Sequence, residues 1–393
     1  MGYRGPSWFD SKTPARTIRR LSLNPVDSES GERLTSRYDR QVRLPDIGVE
    51  GQARIRDSVA MVVGCGALGT GILNHLARAG VGRLIIIDRD VVEPSNLQRQ
   101  SLFDERDALD GRSKAGAAAE RIAQINRDIE VVAIDEDLGP GNFAAVAESF
   151  DCPPTMLIDG LDNFDTRLLM NDYAVRECIP YVYGAAVGWT GGCMVTLPPG
   201  LEGQATPWER TNCLRCIFAE GPPPGLNQTC DTAGVAGPAV GVVASYQAAE
   251  ALKIAVGNWP KVERNLWSFD LLQGSSTSLK VDGLHRNNQC PACIGRRFEW
   301  LEGDRHPTSV RLCGQNAVQI ELRAPLESQD FDQIEHRVKG LGKVRRDDRV
   351  CRIEIEHDND SISFILFPRG RVLVRGAVDV EQGRSLCTRF LGL

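Results

Sequence analysis

The chain has 393 residues, 46 of them basic and 52 acidic, for a net charge of −6 and a pI near 5.6. That balance excludes a general nucleic-acid binder, which needs a basic surface to displace counterions; the 42% apolar and 25% charged content fits a globular protein with a core large enough to fold without disulfides. No uninterrupted apolar stretch of about 18 residues occurs; the nearest approach, 239–256, carries Glu250 and Lys253 and is expected to be a buried helix, not a membrane span.

Residues 1–36 mix Pro, Ser, Gly and charge without apolar periodicity and read as a flexible leader. From 58 the pattern changes. An apolar run at 58–63 meets GCGALG at 64–69, a helical stretch to Ala79 follows, Gly80 and Gly82 end it, and a second apolar run, 83–87, stops at Asp88. Strand, glycine loop, helix and strand make a βαβ unit with parallel strands. The alternation continues with helix 113–125, strand 130–134, short helix 142–148, strand 155–159, helix 166–177 and strand 181–183. This is the order of an α/β, doubly wound, Rossmann-like and mostly parallel sheet, whose ligands bind beyond the carboxyl ends of its strands. After about 190, glycine and proline turns frame short strands and a long loop. The charged stretch 296–306 is expected to be a linker. Beyond it, 307–393 alternates apolar and polar residues at 318–322, 350–355, 362–367 and 372–374, with helical stretches near 329–340 and 379–391. That reads as a small α+β domain with no chemical motif, suited to an interaction.

Gly64, Gly66 and Gly69 form a GxGxxG pattern between a strand and a helix, where bare backbone can approach a phosphate or ribose and unpaired N–H groups face the ligand. Asp88, at the end of the next strand, can accept from both ribose hydroxyls. A tight structural turn explains the glycines alone, and the pattern does not separate NAD from ATP. The polar stretch 90–99 follows, so Asn96, Gln98 and Arg99 are expected near the nucleotide, with Lys114 opening the next helix. A triphosphate under attack needs such cations; a dinucleotide has less need of them. Asp162, with Asn163 beside it, lies just past the strand ending at Asp159 and can hold Mg²⁺. Each residue alone also fits a solvated surface charge; together they mark one rim of the sheet.

Cys213 and Cys216, with Cys290 and Cys293, form two CxxC pairs that can close one tetrahedral Zn²⁺ site. A closed Cys₄ site has no position for substrate, so its role is structural. The twelve cysteines are too few for a disulfide scaffold and the N-terminus has no apolar signal segment. A reducing, cytoplasmic setting is therefore expected, where paired cysteines point to metal. Cys230 follows the glycine- and proline-rich loop 221–228 and precedes an apolar helix, a place for either a nucleophilic thiol or an inert buried one.

In combination, RYDRQ at 37–41, GCGALG at 64–69, GVGRLIIIDRDVVEPSNLQRQ at 80–100, GRSKA at 111–115, GLDNFDTR at 160–167, the stretch 229–253 and the two CxxC pairs resemble the E1-like activating enzymes of the MoeB/ThiF family over about residues 35–295. The resemblance implies an adenylyltransferase that uses Mg-ATP to activate the C-terminal Gly-Gly carboxylate of a small ubiquitin-like sulfur-carrier protein, in thiamine or molybdopterin biosynthesis. It implies that Asp88 binds ribose, that Asn96, Arg99 and Lys114 contact phosphates, that Asp162 holds Mg²⁺, and that Arg40 reaches the ATP site of the neighbouring subunit of a homodimer. In some members the cysteine at the place of Cys230 joins the carrier's terminal carbonyl. Ala67 stands where many relatives have glycine. No rhodanese-like loop is present, so a sulfur donor protein is not identified by the sequence. Two other readings stay open: an enzyme of this fold that activates a small-molecule or tRNA carboxylate, and an NAD-dependent oxidoreductase, which leaves Arg99, Lys114 and the four cysteines unexplained.

Overall fold

The structure is a computed structural model that describes residues 37–200, 205–218, 233–281, 283–284, 289–303, 317–322, 325–357, 360–368 and 370–393. The expected leader and Cys230 lie outside the described residues. Strand β1 (Val59–Val63) is VAMVV, and all five residues are buried because helices cover both faces of the sheet. Its alternate residues serve two cores: Ala60 and Val62 face one, Val59, Met61 and Val63 the other. The helix Ala67–Ala79 stops at Gly80, whose φ of +84° lets its N–H return to Leu76 and Ala77.

Strands β2 (Arg83–Ile87), β3 (Glu130–Ile134), β4 (Met156–Asp159) and β5 (Tyr181–Val187) run parallel to β1. Strands β6 (Thr190–Thr196), β7 (Leu266–Asp270) and β8 (Ser275–Leu279) extend the sheet antiparallel. The strand order is β3-β2-β1-β4-β5-β6-β7-β8. Chain order therefore reverses between β1 and β4, and a ligand crevice opens at their carboxyl ends. The fold class read from the sequence is the one observed, with a longer antiparallel flank than its turn signals suggested.

Among the described residues, Gly237–Val256 is the one helix long and apolar enough to cross a membrane. It packs on the helix Ala67–Ala79 and on β5 and β6, and its buried Glu250 is satisfied by Lys253 at 2.5 Å and by the backbone N–H of Glu263 at 2.8 Å.

The second sheet is antiparallel, in the order β10-β11-β12-β13-β9, from β9 (Ala317–Glu321), β10 (Gly342–Arg346), β11 (Cys351–His357), β12 (Asp360–Leu366) and β13 (Arg371–Arg375). One face packs Ile353, Phe364, Val372 and Val374 with Phe331 and Ile334 of the helix Ser328–Val338 and Leu386 of the helix Val380–Leu386. The other face lies on the larger domain, where Val350, Ile365, Phe367 and Leu373 enclose Val91. The stretch expected to be a linker is packed where it is described: Phe298, Trp300 and Leu301 are buried in the larger domain's second core. Its charges mask three apolar anchors, which the charge-based reading overlooked.

Candidate active site

The glycine loop is shaped first by its own close packing. A Cβ on Gly69 would stand 2.0 Å from the carbonyl oxygen of Gly64, and one on Gly160 would stand 2.2 Å from that same atom. Gly64 has φ +88°, and its Cβ would stand 2.6 Å from the carbonyl oxygen of Gly160. These glycines let the loops after β1 and β4 touch. Gly66 differs: a Cβ there would meet only Gln100 Nε2, at 3.9 Å. Gly66 also begins the helix Ala67–Ala79 without a side-chain cap, which leaves the first N–H groups of that helix for a ligand. Gln100 is buried and its Oε1 has no hydrogen-bond partner. Open room over Gly66 beside an orphaned buried acceptor fits a polar ligand such as a nucleotide.

An ion cluster flanks this room. The Asp88 carboxylate accepts from the backbone N–H of Cys65 at 2.6 Å and of Asp90 at 2.7 Å, so it holds the glycine loop to the end of β2. Burial pushes Asp88 above the usual carboxylate range, against the pull of Lys114. Lys114 opens the helix Lys114–Ile125, which Ser113 caps by accepting from Gly116 N–H at 3.1 Å. Its Nζ lies 3.2 Å from Asp90 Oδ2, with the lysine side chain only 8% exposed. Burial would push Asp90 up, but Lys114, Arg89 and Arg371 outweigh it and hold Asp90 at about 2. Burial likewise opposes the charge on Lys114, and Asp90, Asp88 and Asp162 more than restore it. Asp162 is exposed at the rim, and its field reaches Lys114, Arg89 and Arg167.

The loop carrying Asp162 is held from below. Buried Asp159 accepts from Arg167 Nε at 3.0 Å, from the Tyr181 hydroxyl at 2.9 Å and from Leu161 N–H at 2.8 Å. Arg167 also donates to the carbonyls of Leu161 at 2.6 Å and Gly184 at 3.1 Å.

The structure thus brings Asp88, Lys114 and Asp162 into one field, beside the glycine loop. Other expected residues have local duties. Asn96 is buried and its Oδ1 accepts from Glu93 N–H at 3.0 Å. Asn163 caps the helix Phe164–Glu177 through Thr166 N–H at 2.9 Å. Arg99 donates to the Ser95 carbonyl at 2.9 Å, and Gln98 is exposed. Arg40, with a side chain 85% exposed, pairs with Asp39 at 3.1 Å and with none of the residues above. Asp90, Gln100 and Arg167 were not singled out from the sequence. All three lie inside the quoted motif stretches, so the signal was present but gave no role.

The four cysteine sulfurs lie within 4.8 Å of one another. Cys213 is 3.8 Å from Cys216 and 3.5 Å from Cys290, and Cys216 is 3.4 Å from Cys293. Sulfurs about 2.3 Å from a tetrahedral zinc are about 3.8 Å apart, so this set fits zinc. Arg210 donates to Cys293 Sγ at 3.3 Å, the kind of outer contact that orients a ligand. Arg215, between the first two cysteines, reaches Glu299 at 2.8 Å and Asp172 at 3.6 Å. The cysteines join the second core, and a closed Cys₄ set would leave a bound ion no position for substrate.

A model described as the ThiF family matches residues 38–292. The chain is similar to the sulfur carrier protein ThiS adenylyltransferase of Bacillus subtilis, at 36% identity over 363 residues, covering 91% of this chain and 100% of that one. That span includes most of the C-terminal domain. It is also similar to the ThiS adenylyltransferase of Escherichia coli, at 37% identity, covering 66% of this chain and 95% of the relative. Among solved structures, E. coli MccB with MccA-N7isoASN superposes with a TM-score of 0.55 at 21% identity, covering 66% of this chain and 74% of that one, a likeness of fold.

Proposed function

The chain belongs to the ThiF family, and from that premise we propose that it adenylylates the C-terminal Gly-Gly carboxylate of a small ubiquitin-like sulfur-carrier protein, with Mg-ATP as co-substrate. The observation that carries the reading is the Asp88, Asp90, Lys114 and Asp162 cluster beside the room over Gly66. A glycine tail without side chains can approach a nucleotide held there. Its carboxylate is ionised at neutral pH and needs no general base. Carboxylate oxygen attacks the α-phosphorus, the bond to the β-phosphate breaks, and pyrophosphate leaves with the electron pair. The chain contributes position and charge: Lys114 turns from Asp90, and Arg99 from Ser95, to balance the phosphates.

Asp88 holds ribose, with Asn96, Gln98 and Asn163 around the nucleotide, and Asp162 holds Mg²⁺, which would neutralise phosphate charge when bound. Cys213, Cys216, Cys290 and Cys293 hold a structural Zn²⁺. Arg40, exposed in one subunit, serves the site of its partner in a homodimer. The Cys230 thiolate then attacks the acyl carbonyl and AMP leaves with the electron pair of the broken acyl–oxygen bond; an inert cysteine at this place is the other reading. The B. subtilis relative, covered to 100% of its length, is named for ThiS, which supports a ThiS-like carrier; a MoaD-like carrier is the second reading, and the pathway served is thiamine or molybdopterin biosynthesis.

Pyrophosphate exchange with each purified carrier, followed by mass analysis of the carrier C-terminus, tests the proposal. Carrier-dependent exchange and an acyl-adenylate are expected. No exchange with any Gly-Gly carrier, or nicotinamide in the site, overturns it.

A further inference from the structure

The C-terminal domain carries no catalytic motif, yet it lays an arginine-bearing sheet face against the segments that hold the ion cluster. Along β13, Val372 and Val374 face the domain's own core, so Arg371, Leu373 and Arg375 face the larger domain. Arg371 is buried. Its guanidinium donates to the backbone carbonyl of Arg89 and lies over the Phe367 ring at 3.8 Å. Arg375 pairs with Glu93, Arg349 pairs with Asp135 at 2.5 Å, and Gln319 donates to Asp137 at 3.2 Å. The sites touched, 88–93 and 135–137, follow β2 and β3 directly.

The segment carrying Lys114 is touched as well. A Cβ on Gly111 would stand 3.0 Å from Arg352 Cδ, and one on Gly116 would stand 2.6 Å from Arg349 Cδ. Gly116 sits inside a helix, where glycine is unfavourable. A Cβ there would also stand 2.6 Å from the Oγ of the capping Ser113, so the glycine makes room for both Arg349 and the cap.

We propose that the C-terminal domain braces the nucleotide site, with Arg371 as a positioning residue that fixes the loop 88–93 through the Arg89 carbonyl, so that Asp88 and Asp90 stay placed beside Lys114. The inference rests on the adenylation reading above. Without Arg371, the Arg89 carbonyl loses its donor and Asp90 is held less firmly against Lys114. The loop that carries Asp88 also loses its outer tether.

The test uses the full chain. Calorimetric titration with Mg-ATP in the absence of carrier reads affinity, and pyrophosphate exchange separates KM from kcat. Arg371→Gln is expected to weaken ATP binding and raise KM for ATP about tenfold, with kcat within about twofold. Arg371→Lys is expected to recover most of the affinity. Arg346→Gln, whose partners Asp332 and Glu335 lie in the same small domain, is expected to bind ATP as the wild type does. Should Arg371→Gln lose its fold, Arg375→Gln carries the same expectation at about threefold. Wild-type affinity in the glutamine variant, or an equal loss in Arg346→Gln, overturns the brace alone. A wild-type chain that binds no ATP overturns the adenylation reading and the brace with it.

Discussion

Lys114 and Asp90 hold each other in a half-buried pair, and that pair sets the behaviour of the nucleotide site. Arg89 and Arg371 also bear on Asp90, so truncating the lysine does not strand the carboxylate. Lys114→Ala and Arg99→Ala are each expected to lower pyrophosphate exchange by about 10²–10³-fold with the circular dichroism unchanged, as for the loss of a group that meets transition-state charge. Wild-type exchange in both variants would remove these residues from the reaction. A different acid contributes to the pH dependence of stability. Buried Asp172 accepts from Trp300 N–H at 3.1 Å, and burial raises it from 3.8 to about 6, with Arg215 opposing. Because the folded value lies above the unfolded one, its stabilising contribution is complete below about pH 4. It is lost as pH rises to about 6, a change of roughly 2–3 kcal/mol. Asp172→Asn should flatten that part of the stability profile; denaturant melts at pH 4, 5 and 6 in both proteins check it.

The glycine loop shows how one short element carries two duties. Gly69 and Gly64 permit the close approach of two loops, whereas Gly66 faces open room. Gly69→Ala is therefore expected to destabilise the fold by about 3 kcal/mol or more, because the obstacle is a backbone carbonyl that has nowhere to move. Gly66→Ala should fold and instead lose ATP affinity. Thermal melts beside ATP titrations separate the two; equal stability in both variants would contradict the packing account. The spacing of the three glycines was legible in the sequence. Their division of labour was not, because it depends on Gly160, more than ninety residues further along the chain. Asn163 and Asn96 give the same lesson: each lies in the expected stretch, but a helix cap and a turn engage their side-chain oxygens.

For the molecule as a whole, the cysteine pairs join 213–216 to 290–293 across the second core. Chelating the metal should lower the melting midpoint by about 5–10 °C and loosen the packing around Trp300. One zinc per chain before chelation, and restoration on adding zinc back, are the expected measurements; a midpoint unmoved by chelation would deny the ion a stabilising role. The alternation of strands and helices, the glycine spacing and the CxxC pairs were readable from the sequence because they express short-range physics: pleat and helix periods, turn conformation, and two ligands on one knuckle. The partnership of Lys114 with Asp90, the burial of Phe298 and Trp300, and the arginine face of the C-terminal sheet were decided only in three dimensions. Each is a contact between segments far apart in the chain, and no local pattern records which distant surface a charged or apolar side chain will meet.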